Sequence, residues 1–191
     1  IEQEEGRFDF SDVVDGEAKK MVERHPHVFG SVTVDGTEDV LTNWDAIKKK
    51  TKDQKTQTEV LQSVSKALPA LMRSQKVQQK AAKVGFDWPD VSGALAKVEE
   101  ETVELREAIR AEGVEACAEE LGDLLFSVVN VARFLHVSAE QSLGEACEKF
   151  IRRFQKVEEL AGARGLDMKS AGIEELDKLW NEAKETKNSQ D

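Results

Sequence analysis

The chain is poor in several residue types that mark other fold classes. Its 191 residues include no tyrosine, three prolines, three histidines and two cysteines. The few prolines and a charged fraction of 34% favour an all-α fold. Neither cysteine belongs to a Cys-x-x-Cys pair, and the histidines lack the spacing of metal ligands. We therefore expect reduced thiols and a cytoplasmic protein rather than a zinc site or a disulfide scaffold.

Positive charge and long apolar segments are also scarce. Lysine and arginine together number 27 against 38 aspartates and glutamates, and the net charge of −11 argues against a nucleic-acid partner. No apolar run approaches the length of a membrane span and no signal-peptide pattern is visible, so no membrane partner is expected. A glycine-rich phosphate loop, a Gly-x-Ser-x-Gly elbow and a His-Glu-x-x-His motif are all absent. P-loop enzymes, serine hydrolases and zinc proteases therefore lose support.

Acidic residues, in contrast, form two signatures on neighbouring predicted helices, residues 90–111 and 114–135. The acids are Glu100, Glu101 and Glu104 on the first helix, and Glu120 and Asp123 on the second. Acids three residues apart share one face of a helix, as Glu101 and Glu104 do on the first helix and Glu120 and Asp123 on the second. Two facing helices would therefore bring these four carboxylates together. Such a group is costly without a cation, and its hard oxygen ligands suit Mg²⁺. The alternative is a solvated run of glutamates on a helix surface.

The second of these helices also carries a polar stripe between largely apolar faces. Its members are Glu120, Asp123, Ser127 and Asn130, at a spacing of three, four and three residues. A helix with a purely structural role would keep such residues on the solvent side. The stripe therefore adds Asn130 to the candidate site residues and favours a functional interpretation of the acids.

Basic residues gather on a third predicted helix, residues 139–163. They are Lys149, Arg152, Arg153 and Lys156. Lys149 and Arg153 lie four residues apart and could grip one phosphate chain, although a solvated face that forms salt bridges would have the same pattern. Trp88 and Trp180 are candidates either for stacking on a nucleotide base or for packing in a core.

These motifs resemble the MazG-type nucleoside triphosphate pyrophosphohydrolases of the all-α NTP pyrophosphatase superfamily. The superfamily signature, Glu-Glu-x-x-Glu followed by Glu-x-x-Asp, is matched at residues 100–104 and 120–123. The resemblance covers about residues 85–187. It includes segments 84–89, 122–126, 130–133 and 149–154, together with Trp180 and Lys184. The resemblance implies a four-helix-type bundle that is completed by dimerisation.

The front of the chain resembles the later part of the first of two tandem domains in longer MazG proteins. The matching segments are 5–10 and 24–30. The early helices of that first domain are not in the sequence. We therefore expect residues 1–53 to be a partial N-terminal helical domain, 54–84 a linker helix and 85–191 the catalytic domain. Because tandem domains of this family assemble as dimers, we also expect a homodimer.

The family resemblance implies hydrolysis of a nucleoside triphosphate between its α and β phosphorus atoms, with broad base preference, to give a nucleoside monophosphate and pyrophosphate. It assigns Mg²⁺, with Mn²⁺ as a substitute, to Glu101, Glu104, Glu120 and Asp123. Glu100 would orient neighbouring groups or assist proton removal. The implied substrate-binding residues are Lys97, Asn130, Lys149, Arg152, Arg153, Trp180 and Lys184. Lys149 and Arg153 would neutralise charge on the leaving pyrophosphate, and Trp180 would stack on the base.

Three other functions are compatible with a charge-rich helical chain. A nucleotide sensor would bind through the metal without turnover, but a degenerate site would be expected to have lost at least one acid. A helical dimerisation module would keep its acids on the surface, which suits residues 1–83 well. A di-iron carboxylate bundle needs Glu-x-x-His motifs, and neither acidic signature contains the histidine.

Overall fold

The computed structural model of the chain describes residues 8–31, 36, 40, 47, 55–111 and 113–185. The regular elements within these residues are all α-helices, so the predicted all-α class is confirmed. The chain divides into two compact units, Ile1–Val64 and Ser65–Asp191. The predicted domain limits at residues 53 and 84 stay predictions, and part of segment 1–53 lies outside the described residues.

Three helices can be bounded within the described residues of the first unit. The helices are α1 (Phe10–Arg24), α2 (Pro26–Phe29) and α3 (Gln57–Gln62). A capping box starts α1: the Asp9 side chain accepts a hydrogen bond from the Asp12 backbone N–H, and the reciprocal bond is also made. No residue of α1 is buried, and its apolar side chains Val14 and Met21 are exposed. The apolar side chains of this helix are therefore not covered within the described structure.

The part of the second unit that the structure describes contains five helices, and they carry all the predicted site residues. They are α4 (Ala70–Ala82), α5 (Val91–Arg110), α6 (Val114–Phe134), α7 (Ala139–Ala163) and α8 (Ile173–Glu185). Local signals set the starts of these helices. The side chain of Asp90 accepts a hydrogen bond from the Ser92 backbone N–H ahead of α5, and Ser138 accepts one from Gln141 ahead of α7.

Among the described helices, α5 and α6 form the most extensively packed pair. Ala94 and Ala108 of α5 and Val129 of α6 are buried. Helix α4 packs on α6, where the Gln78 side chain donates a hydrogen bond to the Phe126 carbonyl oxygen at 2.8 Å. The pair of α5 and α6 therefore forms the rigid frame on which the acidic residues are carried.

Helices α7 and α8 form a second packed pair with its own core. This core consists of Val157, Ala161, Leu179 and Ala183, with Trp180 packed against it from the side. Helix α7 also packs against α4 and touches α6 only slightly. The turn between α6 and α7 is held by Gln75, which donates to the Val137 carbonyl oxygen at 2.9 Å. The basic helix and the acidic helix pair are thus built on different cores.

Among the described residues, no single helix is long and apolar enough to cross a membrane. Helices α6 and α7 reach that length and composition only when they are taken together, and they are bent by 104° at the break between them.

Candidate functional site

Three of the predicted acids converge at the packed face of α5 and α6. Glu101 and Glu104 lie one turn apart on α5, and Glu120 lies on the facing part of α6. Each of the three offers a carboxylate oxygen, and these oxygens all lie within 4.8 Å of one another. The two facing helices therefore bring together three of the four acids that the sequence predicted to converge.

Glu101 is the most deeply placed member of this acidic group. Its side chain is only 5% exposed. One carboxylate oxygen, Oε1, lies 2.5 Å from the Lys97 ammonium, whereas the other, Oε2, is buried without a hydrogen-bond partner. A buried carboxylate oxygen that has no partner costs free energy unless a donor or a cation reaches it. An oxygen-only ligand set with such an orphan atom fits a hard divalent cation such as Mg²⁺ or Mn²⁺.

Lys97 is the cation that the structure places beside the acidic group. Its ammonium contacts Glu100 Oε1 at 3.0 Å as well as Glu101. The hydrogen bond to Glu101 and then that to Glu100 raise the pKa of Lys97 above its ordinary range, so the side chain stays charged. The sequence assigned Lys97 to substrate binding. Its pairing with Glu101 follows from a spacing of four residues on one helix, which sequence reasoning did not use.

Glu104 completes the α5 part of the group from an exposed position. Its pKa is raised above the ordinary value, first by desolvation and then by the negative charges of Glu101 and Glu120. The three carboxylates therefore repel one another in the absence of a metal. A divalent cation would relieve this repulsion.

Asp123 does not belong to the convergent group. It is exposed and lies one turn after Glu120 on α6. Ser127, the next member of the polar stripe, is buried with 6% of its surface exposed. The assignment of Asp123 as a fourth metal ligand stays a prediction.

Asn130, at the far end of the stripe, is part of a network that the sequence did not reveal. Its Oδ1 accepts hydrogen bonds from Arg133 Nε at 3.0 Å and from Arg133 Nη2 at 2.7 Å. The same arginine pairs with Asp87, in the segment before α5, and lowers the pKa of that carboxyl. Asp87 and Arg133 are 46 residues apart, so no local periodicity could have indicated this contact.

One of the basic residues of α7, Arg153, lies beside Trp180 of α8. Lys149 and Arg152 are exposed, and Arg153 is half-buried with its guanidinium carbon 5.9 Å from the Trp180 ring centroid. The ring of Trp180 also lies 5.0 Å from that of Phe150. Lys184 is exposed one turn further along α8. The structure thus brings together Arg153 and Trp180, two of the predicted substrate-binding residues.

The other candidate tryptophan, Trp88, packs on the first turn of α5. A Cβ atom added to Gly93 would meet the Cγ and Cδ2 atoms of the Trp88 ring at 2.8 Å. The side chain is half exposed at 47%. Of the two roles the sequence left open, packing against the helix is the one for which the geometry provides a contact.

Comparison with known proteins identifies the family. The model of the MazG nucleotide pyrophosphohydrolase domain matches residues 1–29 and 91–158. A nucleoside triphosphate pyrophosphohydrolase of Escherichia coli (strain K12) is 43% identical over 184 residues, which cover 95% of this chain and 70% of that protein. This chain belongs to the MazG family. The prediction of an enzyme of the MazG family is therefore confirmed.

Other relatives cover the chain equally well. A nucleoside triphosphate pyrophosphohydrolase/pyrophosphatase MazG of Thermotoga maritima is 41% identical over 184 residues, with 96% of this chain and 69% of the relative covered. The uncharacterized protein YabN of Bacillus subtilis (strain 168) is 47% identical over 190 residues, which are 97% of this chain and 38% of that protein. The MazG match includes the segment that holds both acidic signatures and most of α7.

Proposed function

We propose that this chain hydrolyses nucleoside triphosphates at the α–β phosphate bond, giving a nucleoside monophosphate and pyrophosphate. Family membership and the names of the relatives support this activity. The observation that carries the proposal is the convergence of Glu101, Glu104 and Glu120, whose carboxylate oxygens lie within 4.8 Å of one another, together with a buried Glu101 oxygen that has no hydrogen-bond partner.

The three convergent acids would hold Mg²⁺, with Mn²⁺ as a substitute. Asp123 would join them from its exposed position one turn along α6, since an exposed side chain can change rotamer at little cost. When bound, the cation neutralises charge on the phosphate oxygens and lowers the pKa of a coordinated water. Glu100, which is exposed beside the group, would accept the proton of the attacking water.

The remaining site residues would bind the nucleotide. Lys149, Arg152, Arg153 and Lys184 supply cations for the phosphate chain, as does Lys97 from α5. These cations balance the charge that develops on the leaving pyrophosphate. Trp180 would stack on the base, and the Asn130 amide would contact the sugar or a phosphate. Because every base presents a π-face, stacking gives little discrimination and a broad base preference follows.

A homodimer is part of the same proposal. Several large apolar side chains of α6 and α7 are about half exposed, among them Leu125, Val128 and Phe150. Exposed apolar side chains that are grouped in this way are typical of an interface, and a second copy of the chain would cover them. We propose a cytoplasmic location, where free thiols such as those of Cys117 and Cys147 stay reduced.

Product analysis tests the proposed reaction. The chain is incubated with ATP, dCTP and dUTP in Mg²⁺ or in EDTA, the nucleotides are separated, and pyrophosphate is assayed. Glu101→Gln keeps the shape of the side chain but removes its charge, and Glu99→Gln makes the same change at an exposed position of α5 outside the group. We expect kcat to fall by about 10²–10³-fold in Glu101→Gln, which is the effect found when one charge-stabilising group is removed from an active site.

The products decide between the alternatives. Monophosphate and pyrophosphate that depend on Mg²⁺ and are retained in Glu99→Gln support the proposal. Diphosphate and orthophosphate would mean a different hydrolase. Metal-dependent nucleotide binding without any product would favour the sensor.

A further inference from the structure

Lys97 occupies a place in the acidic group that a metal would also need. Its Nζ atom lies 2.5 Å from Glu101 and 3.0 Å from Glu100. Both contacts come from the same helix, at spacings of four and three residues, so the fold of α5 by itself brings these side chains within reach of each other. The lysine side chain is 38% exposed, which leaves its long stem room to swing towards solvent.

We propose that Lys97 is a built-in counter-ion that holds the acidic group together without metal and competes with the metal for Glu101. This inference rests on the proposed metal site. It goes beyond a role of Lys97 in binding substrate, because it concerns the metal affinity of the protein when no nucleotide is present.

Competition follows from the burial of Glu101. With 5% of its side chain exposed, this carboxylate lies where charges are poorly screened. An ammonium and a divalent cation on the same carboxylate repel each other strongly at such distances. Lys97 must therefore move away, or the metal must bind against that repulsion.

The lysine nevertheless compensates the group only in part. Glu101 Oε2 remains buried without a partner, and carboxylate oxygens of Glu104 and Glu120 lie within 4.8 Å of one of Glu101. The acidic group therefore retains affinity for a cation with a higher charge than one ammonium. Lys97 determines how tightly the metal binds to the group.

Displacement of Lys97 would couple the metal to the nucleotide. Without nucleotide, a Lys97 ammonium that leaves the acidic group contacts only water. With a triphosphate present, it gains a negatively charged partner. Metal and nucleotide should then each strengthen the binding of the other by the same factor, as linkage requires. Removing the lysine charge should tighten binding of metal alone and weaken this coupling.

Titration with Mn²⁺ alone tests the proposal, with free Mn²⁺ measured by its EPR signal. We expect Lys97→Gln to bind Mn²⁺ about tenfold more tightly than the parent protein, because one repelling charge is gone. Lys97→Arg keeps the charge and should bind Mn²⁺ like the parent. Lys178→Gln is the matched control, since it removes a lysine from an exposed pair with Glu175 on α8.

A second titration, in the presence of an α,β-methylene nucleoside triphosphate, measures the coupling. The parent should show a larger gain in Mn²⁺ affinity on adding the nucleotide than Lys97→Gln does. Thermal melts in EDTA report on the counter-ion role, and Lys97→Gln should melt below the parent while Lys178→Gln should not.

Unchanged or weaker Mn²⁺ binding in Lys97→Gln, or no Mn²⁺ binding by either protein, would overturn the proposal. Its failure can be told from that of the proposed function. A protein that releases no pyrophosphate refutes the reaction, whereas the competition is read from Mn²⁺ binding and melting alone. If Lys97→Gln does not fold, Lys97→Met retains the apolar stem and takes its place in the same titrations.

Discussion

Arg133, near the end of α6, holds Asp87, in the segment that leads into α5. Its Nη1 atom donates to Asp87 Oδ2 at 2.8 Å, and Nη2 donates to Oδ1 in a second, parallel bond. The two side chains are 13% and 24% exposed. A bidentate, largely buried pair of this kind fixes one segment against another. The pair therefore holds the segment that leads into α5 against α6, and α5 is the helix that carries Glu101 and Glu104.

Removing this pair should lower stability in a pH-dependent way. We expect Asp87→Asn to cost about 1.5–3 kcal/mol near neutral pH, the range for hydrogen bonds to charged groups. Because the Arg133 hydrogen bond lowers the pKa of Asp87 below 3.8, the unfolded state binds the proton more tightly than the folded state. The stabilisation is therefore complete above pH 3.8 and is lost as the pH falls through the lowered folded pKa.

Urea unfolding of the parent and Asp87→Asn across this pH range measures the effect. The two curves should converge at acid pH and separate towards neutrality. Asp177→Asn, an exposed position on α8, is the control and should follow the parent throughout. A difference between the parent and Asp87→Asn that is constant with pH would mean that the charge of Asp87 contributes nothing.

The contact between Trp88 and Gly93 predicts that α5 cannot accept a larger residue at its first turn. In Gly93→Ala the new methyl group would lie 2.8 Å from two ring atoms of Trp88. The resulting strain, about 1–3 kcal/mol, should exceed the gain of about 1 kcal/mol in helix propensity. We therefore expect a lower urea midpoint for Gly93→Ala.

A matched substitution on α7 gives the opposite expectation. A methyl group at Gly144 would meet no neighbouring atom within 4 Å, so Gly144→Ala should raise the midpoint through helix propensity alone. Removing the ring in Trp88→Leu should also reduce the cost of Gly93→Ala. Equal effects of alanine at both glycines would show that the tryptophan ring moves aside freely.

The helix limits could be predicted closely because their signals are local. Asp90 and Ser138 act as N-caps at the expected starts, and Gly165 adopts a left-handed φ of 62° just beyond α7. Spacing on two facing helices also predicted that four acids converge, and in the structure Glu101, Glu104 and Glu120 do so while Asp123 lies outside the group. The caps depend on residues within one turn of each other, and the acidic group depends on two helices that follow one another directly along the chain.

What the sequence could not indicate depends on contacts between distant residues. The Asp87–Arg133 pair spans 46 residues, and the packing of Trp180 on Phe150 requires the angle between α7 and α8. The sequence also left open how far Lys149 lies from the acids. In the structure, α7 shares its main core with α8 and barely contacts α6, an arrangement that periodicity within α7 could not predict.

The position of Trp180 predicts separate effects on packing and on nucleotide binding. The ring packs against the core of α7 and α8 and lies beneath Arg153. Trp180→Leu keeps most of the apolar contact but removes the π-face. If the ring stacks on the base, the loss of about 1–3 kcal/mol should raise KM about fivefold or more and leave kcat nearly unchanged.

Steady-state kinetics with ATP, together with a thermal melt, separate the two effects of Trp180→Leu. Trp88→Leu removes a tryptophan from outside the basic helix pair and is the control for the kinetics. An unchanged KM in Trp180→Leu, with a lower melting temperature, would restrict Trp180 to the core.

The exposed apolar stripe of α6 predicts how the proposed homodimer can be disrupted. Leu121, Leu125 and Val128 follow one another at spacings of four and three residues, and each is between 46% and 47% exposed. Burial of this stripe by a second copy would be opposed by a charge at its centre, because an unpaired charge in an apolar interface is strongly unfavourable.

Leu125→Asp should therefore sediment as a monomer of 21.3 kDa while the parent sediments at twice that mass. Gln155→Glu adds the same charge to an exposed position of α7 and should remain dimeric. A parent chain that sediments as a monomer at micromolar concentration would contradict the homodimer, and a dimeric Leu125→Asp would place its interface away from this stripe.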